Sequence, residues 1–440
     1  MAQSQPAGGY ATAMTAALVL FAATYAALLL FPKYRAYIAL GSAAIFVAAG
    51  ILPVGKVLNA VDWNVIMMIL GTMGTVALFI DSKMPALMAD LIIEKMPNVK
   101  WAIVALALFA GIISAFVDNV ATVLMVAPVA ITIARKLKIS PVNAIIAIAV
   151  SSNLQGAATL VGDTTSILLG GHAGMNFLDF FVYRGKPGMF WVVQVGALAS
   201  MFVLLAVFRK ESEPITSLER QKVTDYVPSY LLLGTVLLLI IASLLPKDGI
   251  PPFVTDHING LICVVLMLVG FAYNIIKTRS LETVKVTLME IDYFTLLLLA
   301  GLFVVIAGIT EAGVVDAISA AFVSVAGDNI FVVYTLIVWV SVFLSAFIDN
   351  IPYVATMLPV AGGIARQLGV DPTLLYFGLM VGATLGGNLT PIGASANIAG
   401  LGILRKEGHE VSAARFMKIS VPFTLSAVTT GYVLVWLLWR

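Results

Sequence analysis

The sequence has a single cysteine, Cys263, and only three histidines in 440 residues. One thiol excludes an internal disulfide and any metal site built from several thiolates. The chain contains neither an HExxH nor a GxSxG motif, the signatures of a metallopeptidase and of a serine hydrolase. An intramembrane enzyme therefore has little support, and a channel has equally little because nothing in the sequence indicates a fixed pore.

Charge is scarce as well. Charged residues make up 11% of the chain, whereas soluble domains contain about 25%. Apolar residues make up 61%, and runs of roughly 20 of them, the length of a membrane-crossing helix, recur along the whole chain. The formal net charge is +2, with no basic patch suited to a nucleic acid. The composition predicts an all-α polytopic protein whose surroundings are the lipid bilayer.

The first ten residues contain no Lys or Arg, so they lack the basic region of a signal peptide. We therefore expect residues 11–32 to form a retained first span. Two short amphipathic segments are expected at the membrane interface, at 85–96 and 314–325. The remaining uninterrupted spans are predicted at about 36–53, 63–80, 189–208, 229–245, 258–276, 293–310 and 419–439.

One polar motif occurs twice within apolar surroundings. Residues 114–119 read SAFVDN, and residues 345–350 read SAFIDN, 231 positions later. A charge deep in a bilayer costs about 3 kcal/mol or more, so carboxylates there are functional candidates. At this offset half of the positions from 114 to 141 are identical, and the matches include prolines and polar residues. We interpret the chain as two homologous halves.

The repeats suggest five regions. They are N-terminal scaffold spans (1–54), repeat 1 (55–185), a span, cytoplasmic linker and connecting spans (186–284), repeat 2 (285–418) and a last span (419–440). The longest polar stretch, Arg209 to Asp225, is the predicted linker between the halves.

The distribution of Lys and Arg predicts the orientation. We expect each Asp-Asn segment to be the tip of a re-entrant hairpin, which leaves about ten crossings. Of the 25 Lys and Arg residues, 19 then fall on one side, the predicted cytoplasmic side of an inner membrane. Both termini are expected outside, and the two repeats are inverted. The six Lys and Arg residues expected on the outer side are Lys56, Arg184, Lys186, Lys247, Arg366 and Arg440.

Inverted repeats with broken helices are typical of secondary transporters, whose substrate sites lie near the midplane. The two hairpin tips and two predicted unwound stretches, 153–166 and 386–397, should meet there. Their oxygens, amides and sharp backbone breaks suit a small substrate or an ion. The predicted site residues are Asp118, Asn119, Thr122, Asn153, Thr159, Gly162, Asp163, Thr164, Asp349, Asn350, Asn388, Thr390, Pro391, Gly393, Ser395 and Asn397.

Three of these carboxylates are candidates for proton coupling. Asp118 and Asp349 are each in a position that suits the N-cap of a helix. Each carboxylate could act as a cap only, or it could cap the helix and also bind and release a proton. Asp163 has no acidic counterpart, because the repeat places Ala394 there. It is either the coupling group or a solvent-exposed turn. We expect Cys263 to be a packing residue and His172 to lie at the outer boundary.

The hairpin motifs, the stretch GAATLVGD at 156–163 and the stretch GGNLTPIGASAN at 386–397 resemble the ArsB/NhaD branch of the ion transporter superfamily. The resemblance implies a homodimer in which a scaffold domain holds the interface and a transport domain moves in elevator fashion. It also implies a soluble ATPase subunit as a partner docking on the linker. Related dicarboxylate carriers have Ser-Asn-Thr at the hairpin tips, where this chain has Asp-Asn.

Three functions follow from the resemblance and the site. The first is proton-coupled efflux of arsenite or antimonite, small inorganic substrates that hydroxyls, amides and a carboxylate can recognise. The second is sodium/proton antiport of the NhaD type, and the third is anion import. The coupling ion is thus H⁺, or alternatively Na⁺, with no cofactor and no bound metal.

Overall fold

The computed structural model describes residues 7–137, 139–214, 221–246 and 249–440. Within these residues the protein is almost entirely helical. The helices α1 to α20 are, in chain order, Ala7–Leu30, Arg35–Ala48, Val57–Ala60, Trp63–Asp81, Met84–Ile93, Val99–Ser114, Asn119–Leu137, Val142–Gly156, Thr164–Ala173, Met189–Val207, Val227–Leu244, Pro252–Thr278, Glu282–Glu290, Tyr293–Glu311, Val314–Ala326, Ile330–Ser345, Asn350–Leu368, Thr373–Met380, Ser395–Lys406 and Ala413–Trp439.

A short β-hairpin, with two residues in each strand, is the exception to the all-α prediction. Strands β1 (Val182–Tyr183) and β2 (Lys186–Pro187) pair antiparallel. The two residues between them, Arg184 and Gly185, have φ angles of 48° and 76°. Positive φ at both central positions is what a type I′ turn requires. The turn residues caused the strands to be missed, because they look like an ordinary polar loop.

Eight of the described helices are long and apolar enough to cross a membrane, namely α1, α4, α7, α10, α11, α12, α14 and α20. The predicted topology places α7 in a hairpin that returns to its own side, which leaves seven of the eight as crossings. Helix α2 and the two interrupted helices, α8–α9 and α18–α19, bring the total to ten. This agrees with the architecture predicted from the sequence.

Contacts at the helix ends support the re-entrant hairpins α6–α7 and α16–α17. At the base of hairpin 1, Arg135 forms a salt bridge with Glu407, and Val99 N donates to Glu213 O at 3.0 Å. Both partners lie in segments that the topology puts on that side. On the opposite side, Lys56 Nζ lies 2.8 Å from the Glu311 carboxylate. Hairpin 2 starts after a bend of 115° between α15 and α16.

The breaks in the interrupted helices differ from the predicted ones. The first break covers only 157–163, because α8 continues to Gly156 and α9 begins at Thr164. The second begins earlier than expected, with a π-helical turn at Val381–Leu385 and a 3₁₀ turn at Gly387–Leu389. The prediction of unwound backbone at Asn153 was wrong because its side chain, which suggested a break, instead bonds a neighbouring element.

Helix α13 was not predicted from its polar sequence; it buries Val284 and Thr287. Several predictions concern positions outside the described residues: segment 215–220 of the linker, which includes Glu219 and Arg220, and also Lys138 and Lys247.

Each half of the chain packs a helix against the other half, and the helix backbones come close together at these contacts. A Cβ added to Gly71 on α4 would lie 2.3 Å from the carbonyl carbon of Cys263 on α12. A Cβ added to Gly301 on α14 would lie 2.6 Å from the carbonyl carbon of Ala39 on α2. Gly71 and Gly301 are the repeat-related pair, so both contacts depend on the absence of a side chain. Helix α2 thus packs on the second half, and α12 packs on the first.

Candidate functional site

The tip of hairpin 1 is capped by its own carboxylate. Asp118 Oδ1 accepts hydrogen bonds from Val120 N and Ala121 N at 3.0 and 3.1 Å, which fixes the start of α7. Asn119 Nδ2 donates to Asn153 Oδ1 at 3.0 Å. These bonds tie the tip to the last turns of α8.

The tip of hairpin 2 has the same cap and an additional partner. Asp349 Oδ1 accepts from Ile351 N at 3.1 Å. Its Oδ2 lies 2.6 Å from Arg35 Nη1 at the start of α2, and both side chains are largely buried, 22% exposed for Arg35 and 7% for Asp349. Tyr25 on α1 donates to Pro352 O at 2.6 Å. Hairpin 2 is therefore anchored to the N-terminal helices by a charge pair that hairpin 1 does not share.

Asp163 lies at the N-terminus of α9 and is buried, with 4% of its surface exposed. Its Oδ1 accepts from Thr164 N at 2.7 Å, and its Oδ2 accepts from the Thr165 hydroxyl at 3.2 Å. The alternative of a solvent-exposed turn is therefore wrong. The break in the helix creates a free N-terminus, and this carboxylate caps it.

Each break contains a glycine that packs closely against three backbone carbonyl oxygens, two of which belong to the neighbouring hairpin. A Cβ added to Gly162 would lie 2.6 Å from Gly156 O, 2.9 Å from Ser114 O and 3.0 Å from Ala115 O. A Cβ added to Gly393 would meet the three carbonyls 231 residues further on, at 2.5 to 2.8 Å. The repeat thus produces the same hairpin-to-break contact twice, and neither has room for a methyl group.

The two broken helices also bond each other. Asn153 Nδ2 donates to Thr384 O at 2.9 Å, and the Thr384 hydroxyl donates to the Thr165 hydroxyl at 3.0 Å. Asn388 Nδ2 donates to Val150 O at 2.8 Å. Polar residues of the two repeats therefore meet in the buried interior of the molecule.

A cavity of about 410 Å³ opens beside the hairpin tips. Six predicted site residues line it: Asp118, Asn119, Asp163, Thr164, Asn350 and Ser395. Asp349, Arg35 and Lys33 line a second cavity of about 200 Å³. Of these two cavities at the hairpin tips, we call the one of 410 Å³ the larger cavity. The other predicted residues do not line the larger cavity; Thr122, Asn153, Thr159, Gly162, Asn388, Thr390, Gly393 and Asn397 are buried, and Pro391 is half-buried.

Two acidic residues in the larger cavity were not predicted as site residues. Asp292 and Glu290 come from the junction of α13 and α14. Asp292 caps α14 through Thr295 N at 3.1 Å, as its sequence context indicates, and also faces the cavity. Partial burial, reinforced by the negative charge of Asp81, raises the pKa of Glu290. No sequence signal separates Asp292 from an ordinary cap, because only the folded chain brings α14 next to the hairpins.

The remaining residues of interest lie away from this cavity. Cys263 is fully buried on α12, as expected of a packing residue. His172 lies in the last turn of α9, where its Nε2 is 3.2 Å from the Tyr376 hydroxyl. In the described part of the chain, no three His, Cys, Asp or Glu side chains are grouped to hold a metal ion.

The helices define a multi-pass membrane protein, and its family and relatives identify it as a transporter rather than an enzyme. A family model described as "Citrate transporter" (CitMHS) matches residues 25–382, and the chain belongs to this family. The sequence motifs pointed to the ArsB/NhaD branch, an assignment finer than the family match supports.

Several relatives of the chain are named as uncharacterized transporters. The chain is 30% identical over 432 residues to an uncharacterized transporter of Mycobacterium tuberculosis, covering 96% of this chain and 98% of that protein. It is 26% identical to the P protein of Homo sapiens, covering 98% of this chain and 60% of that protein. The crystal structure of the YdaH transporter of Alcanivorax borkumensis has a TM-score of 0.59 at 15% identity, covering 92% and 97% of the two chains. That similarity concerns the fold alone.

Proposed function

We propose that this protein is a secondary active transporter that exchanges protons for a small inorganic solute by an elevator movement of its hairpins. The observation that carries the proposal is the lining of the larger cavity. It contains the carboxylates of Asp118, Asp163, Asp292 and Glu290 together with hydroxyl and amide groups, and no Lys or Arg is among its lining residues. Such a wall suits a proton, a cation or a neutral hydrogen-bonding solute.

The three candidate coupling groups have different roles in this proposal. Asp349 is already neutralised by Arg35. Asp118 and Asp163 both line the larger cavity, and neither forms a salt bridge in the described part of the chain. We assign the exchangeable proton to the Asp118–Asp163 pair and an anchoring role to Asp349.

We propose arsenite or antimonite as the solute. Arsenite is mostly a neutral trihydroxide near pH 7, so its hydroxyls can donate to carboxylates and amide oxygens. The lone thiol, Cys263, is buried away from the cavity, so recognition by thiolates plays no part. The resemblance of the hairpin motifs to the arsenite exporters supports the same solute.

Two other substrates remain as defined alternatives. Sodium is favoured by the carbonyl oxygens that gather at Gly162 and Gly393, since backbone carbonyls are hard oxygen ligands. An anion such as citrate is suggested by the name of the family. The acidic lining opposes an anion, because a carboxylate substrate would be desolvated beside like charges.

Reconstituted vesicles distinguish the three substrates. Purified protein is placed in proteoliposomes with an imposed pH gradient, and the movement of arsenite, of ²²Na⁺ and of citrate is followed in parallel. We expect arsenite movement that a protonophore abolishes. Sodium or citrate movement without arsenite movement contradicts the proposed solute, whereas no proton dependence for any of them contradicts the proposed class.

Asp163→Asn should abolish proton-driven transport. The amide keeps one acceptor for Thr164 N and so preserves the cap, but it cannot release a proton. Transport of arsenite against a pH gradient is expected to fall to the level of empty vesicles, while gradient-independent exchange persists. Asp256→Asn, which changes an exposed carboxylate on α12 outside these cavities, serves as a matched control. Full proton-driven transport by Asp163→Asn would remove Asp163 from the coupling role.

The orientation can be tested with single cysteines, because Cys263→Ala leaves no thiol. We infer an inner-membrane location with both termini outside and a cavity that opens to the cytoplasm beside Glu290. A cysteine at Lys406 should then react with an impermeant maleimide only in inside-out vesicles. A cysteine at Lys186 should react only in right-side-out vesicles. The reverse pattern contradicts the proposed orientation.

The homodimer, the domain division and the ATPase subunit implied by the resemblance remain proposals. The first residues of the linker pack on the base of hairpin 1, where Lys100 N donates to Glu211 O at 2.9 Å. A protein docked on this linker would therefore touch an element of the proposed transport domain.

A further inference from the structure

A third cavity, of about 450 Å³, lies between the α4–α5 corner, helix α7 and the end of the linker at Gln221. Its rim carries two exposed ammonium groups, Lys83 at the corner and Lys136 on α7. We call it the lysine cavity. Its apolar wall is formed by Ile80, Pro85, Ala86, Leu124, Met125, Pro128 and Val129.

The charges of the lysine cavity are not balanced internally. Neither lysine forms a salt bridge within the described part of the chain. The single carboxylate in the lining, Asp90, is buried, and its Oδ2 accepts from Gln221 N at 2.9 Å. Asp90 interacts electrostatically with Lys136, so the two lysines and this one carboxylate leave a net positive charge above the apolar wall.

The topology predicted from the sequence places the cavity at the level of a lipid headgroup. In that topology α5 lies at the membrane interface, on the side that carries most of the Lys and Arg residues. Basic pockets at this level favour anionic headgroups, and apolar walls below them accept acyl chains. A soluble phosphate would engage the lysines but leave the apolar wall in contact with water.

We propose that the lysine cavity binds one anionic phospholipid, with its phosphate between Lys83 and Lys136 and an acyl chain along the wall. Such a lipid would join the α4–α5 corner to hairpin 1. The lysine cavity shares Ile80 and Leu124 with the cavity beside the hairpin tips, but none of the carboxylates proposed to exchange protons lines it, so the inference does not depend on which solute is transported.

Binding can be measured on the full-length protein in detergent by titration with a fluorescent phosphatidylglycerol. Each Lys near an anionic headgroup contributes about 1 kcal/mol, so Lys83→Gln combined with Lys136→Gln should weaken binding about 30-fold. The matched control, Lys95→Gln with Lys285→Gln, removes two exposed charges from the same side but outside the cavity, and should leave the affinity unchanged.

Further arms identify the source of the phosphate and the use of the wall. Thr132→Trp, which fills the cavity without changing charge, should weaken phosphatidylglycerol binding as well. Phosphatidylcholine and soluble glycerol phosphate should not compete. Equal losses in both lysine double variants, competition by glycerol phosphate, or unchanged binding in Thr132→Trp would each overturn the proposal.

Discussion

Replacing Arg35 by Gln should destabilise the protein by about 3 kcal/mol, because it leaves the buried Asp349 carboxylate without its cation. Only part of the loss is recoverable by water, since Asp349 is 7% exposed. The free energy of unfolding can be measured by denaturant titration in mild detergent. Transport of the proposed solute should fall in parallel, because the tip of hairpin 2 loses an anchor to α2.

A double-mutant cycle separates the charge pair from other effects of the substitution. Asp349→Asn keeps the acceptor for Ile351 N and removes the charge, so the variant carrying both substitutions should be more stable than Arg35→Gln alone. Arg135→Gln is the matched control, because its salt bridge with Glu407 is 70% exposed on the Arg side and contributes about 0–1 kcal/mol. Equal destabilisation by Arg35→Gln and Arg135→Gln contradicts the anchoring role.

Gly162→Ala and Gly393→Ala should each cost about 3 kcal/mol or more, which is the upper end of the range for overpacked sites. The added methyl carbon would lie 2.6 Å or less from a backbone carbonyl oxygen in both cases. A rotamer change cannot relieve a backbone contact, so the hairpin tip has to move away from the break. We expect loss of transport even where the protein still folds, as judged by monodisperse elution from a sizing column.

Gly402→Ala is the control for these two variants. Gly402 lies on α19, just beyond the second break, and a Cβ there meets nothing within 4 Å. Alanine is favoured over glycine inside a helix by up to about 1 kcal/mol, so this variant should be as stable as the parent or slightly more stable. Normal transport by Gly162→Ala and Gly393→Ala would show that the hairpins tolerate displacement from the breaks.

The sequence predicted the helices well because bilayer spans carry a strong local signal. Predicted spans such as 63–80 and 293–310 agree with α4 (Trp63–Asp81) and α14 (Tyr293–Glu311) within a residue at each end. Both begin after a capping Asp, which marks the start of the helix. Short elements without such a signal, α13 and the β1–β2 hairpin, were missed.

The site could be predicted only in part. The repeated Asp-Asn motif located both hairpin tips, since identical polar residues in two apolar runs demand a shared role. The boundaries of the breaks were less accurate. Asn153 looked like a break in the sequence, but it stays helical because Thr384 O, from the other repeat, accepts its amide hydrogen bond.

The class of the protein, its duplicated architecture and the residues at the hairpin tips could all be predicted from the sequence. These depend on hydropathy, on the 231-residue offset and on the uneven distribution of Lys and Arg, all of which are properties of the chain. Only the folded structure shows which of the two hairpin carboxylates has a cationic partner. Asp118 and Asp349 are equivalent in sequence, but the exchange of helices between the halves brings Arg35 to Asp349, 314 residues away. Electrostatic pairing depends on distance in space, so no local pattern could assign it.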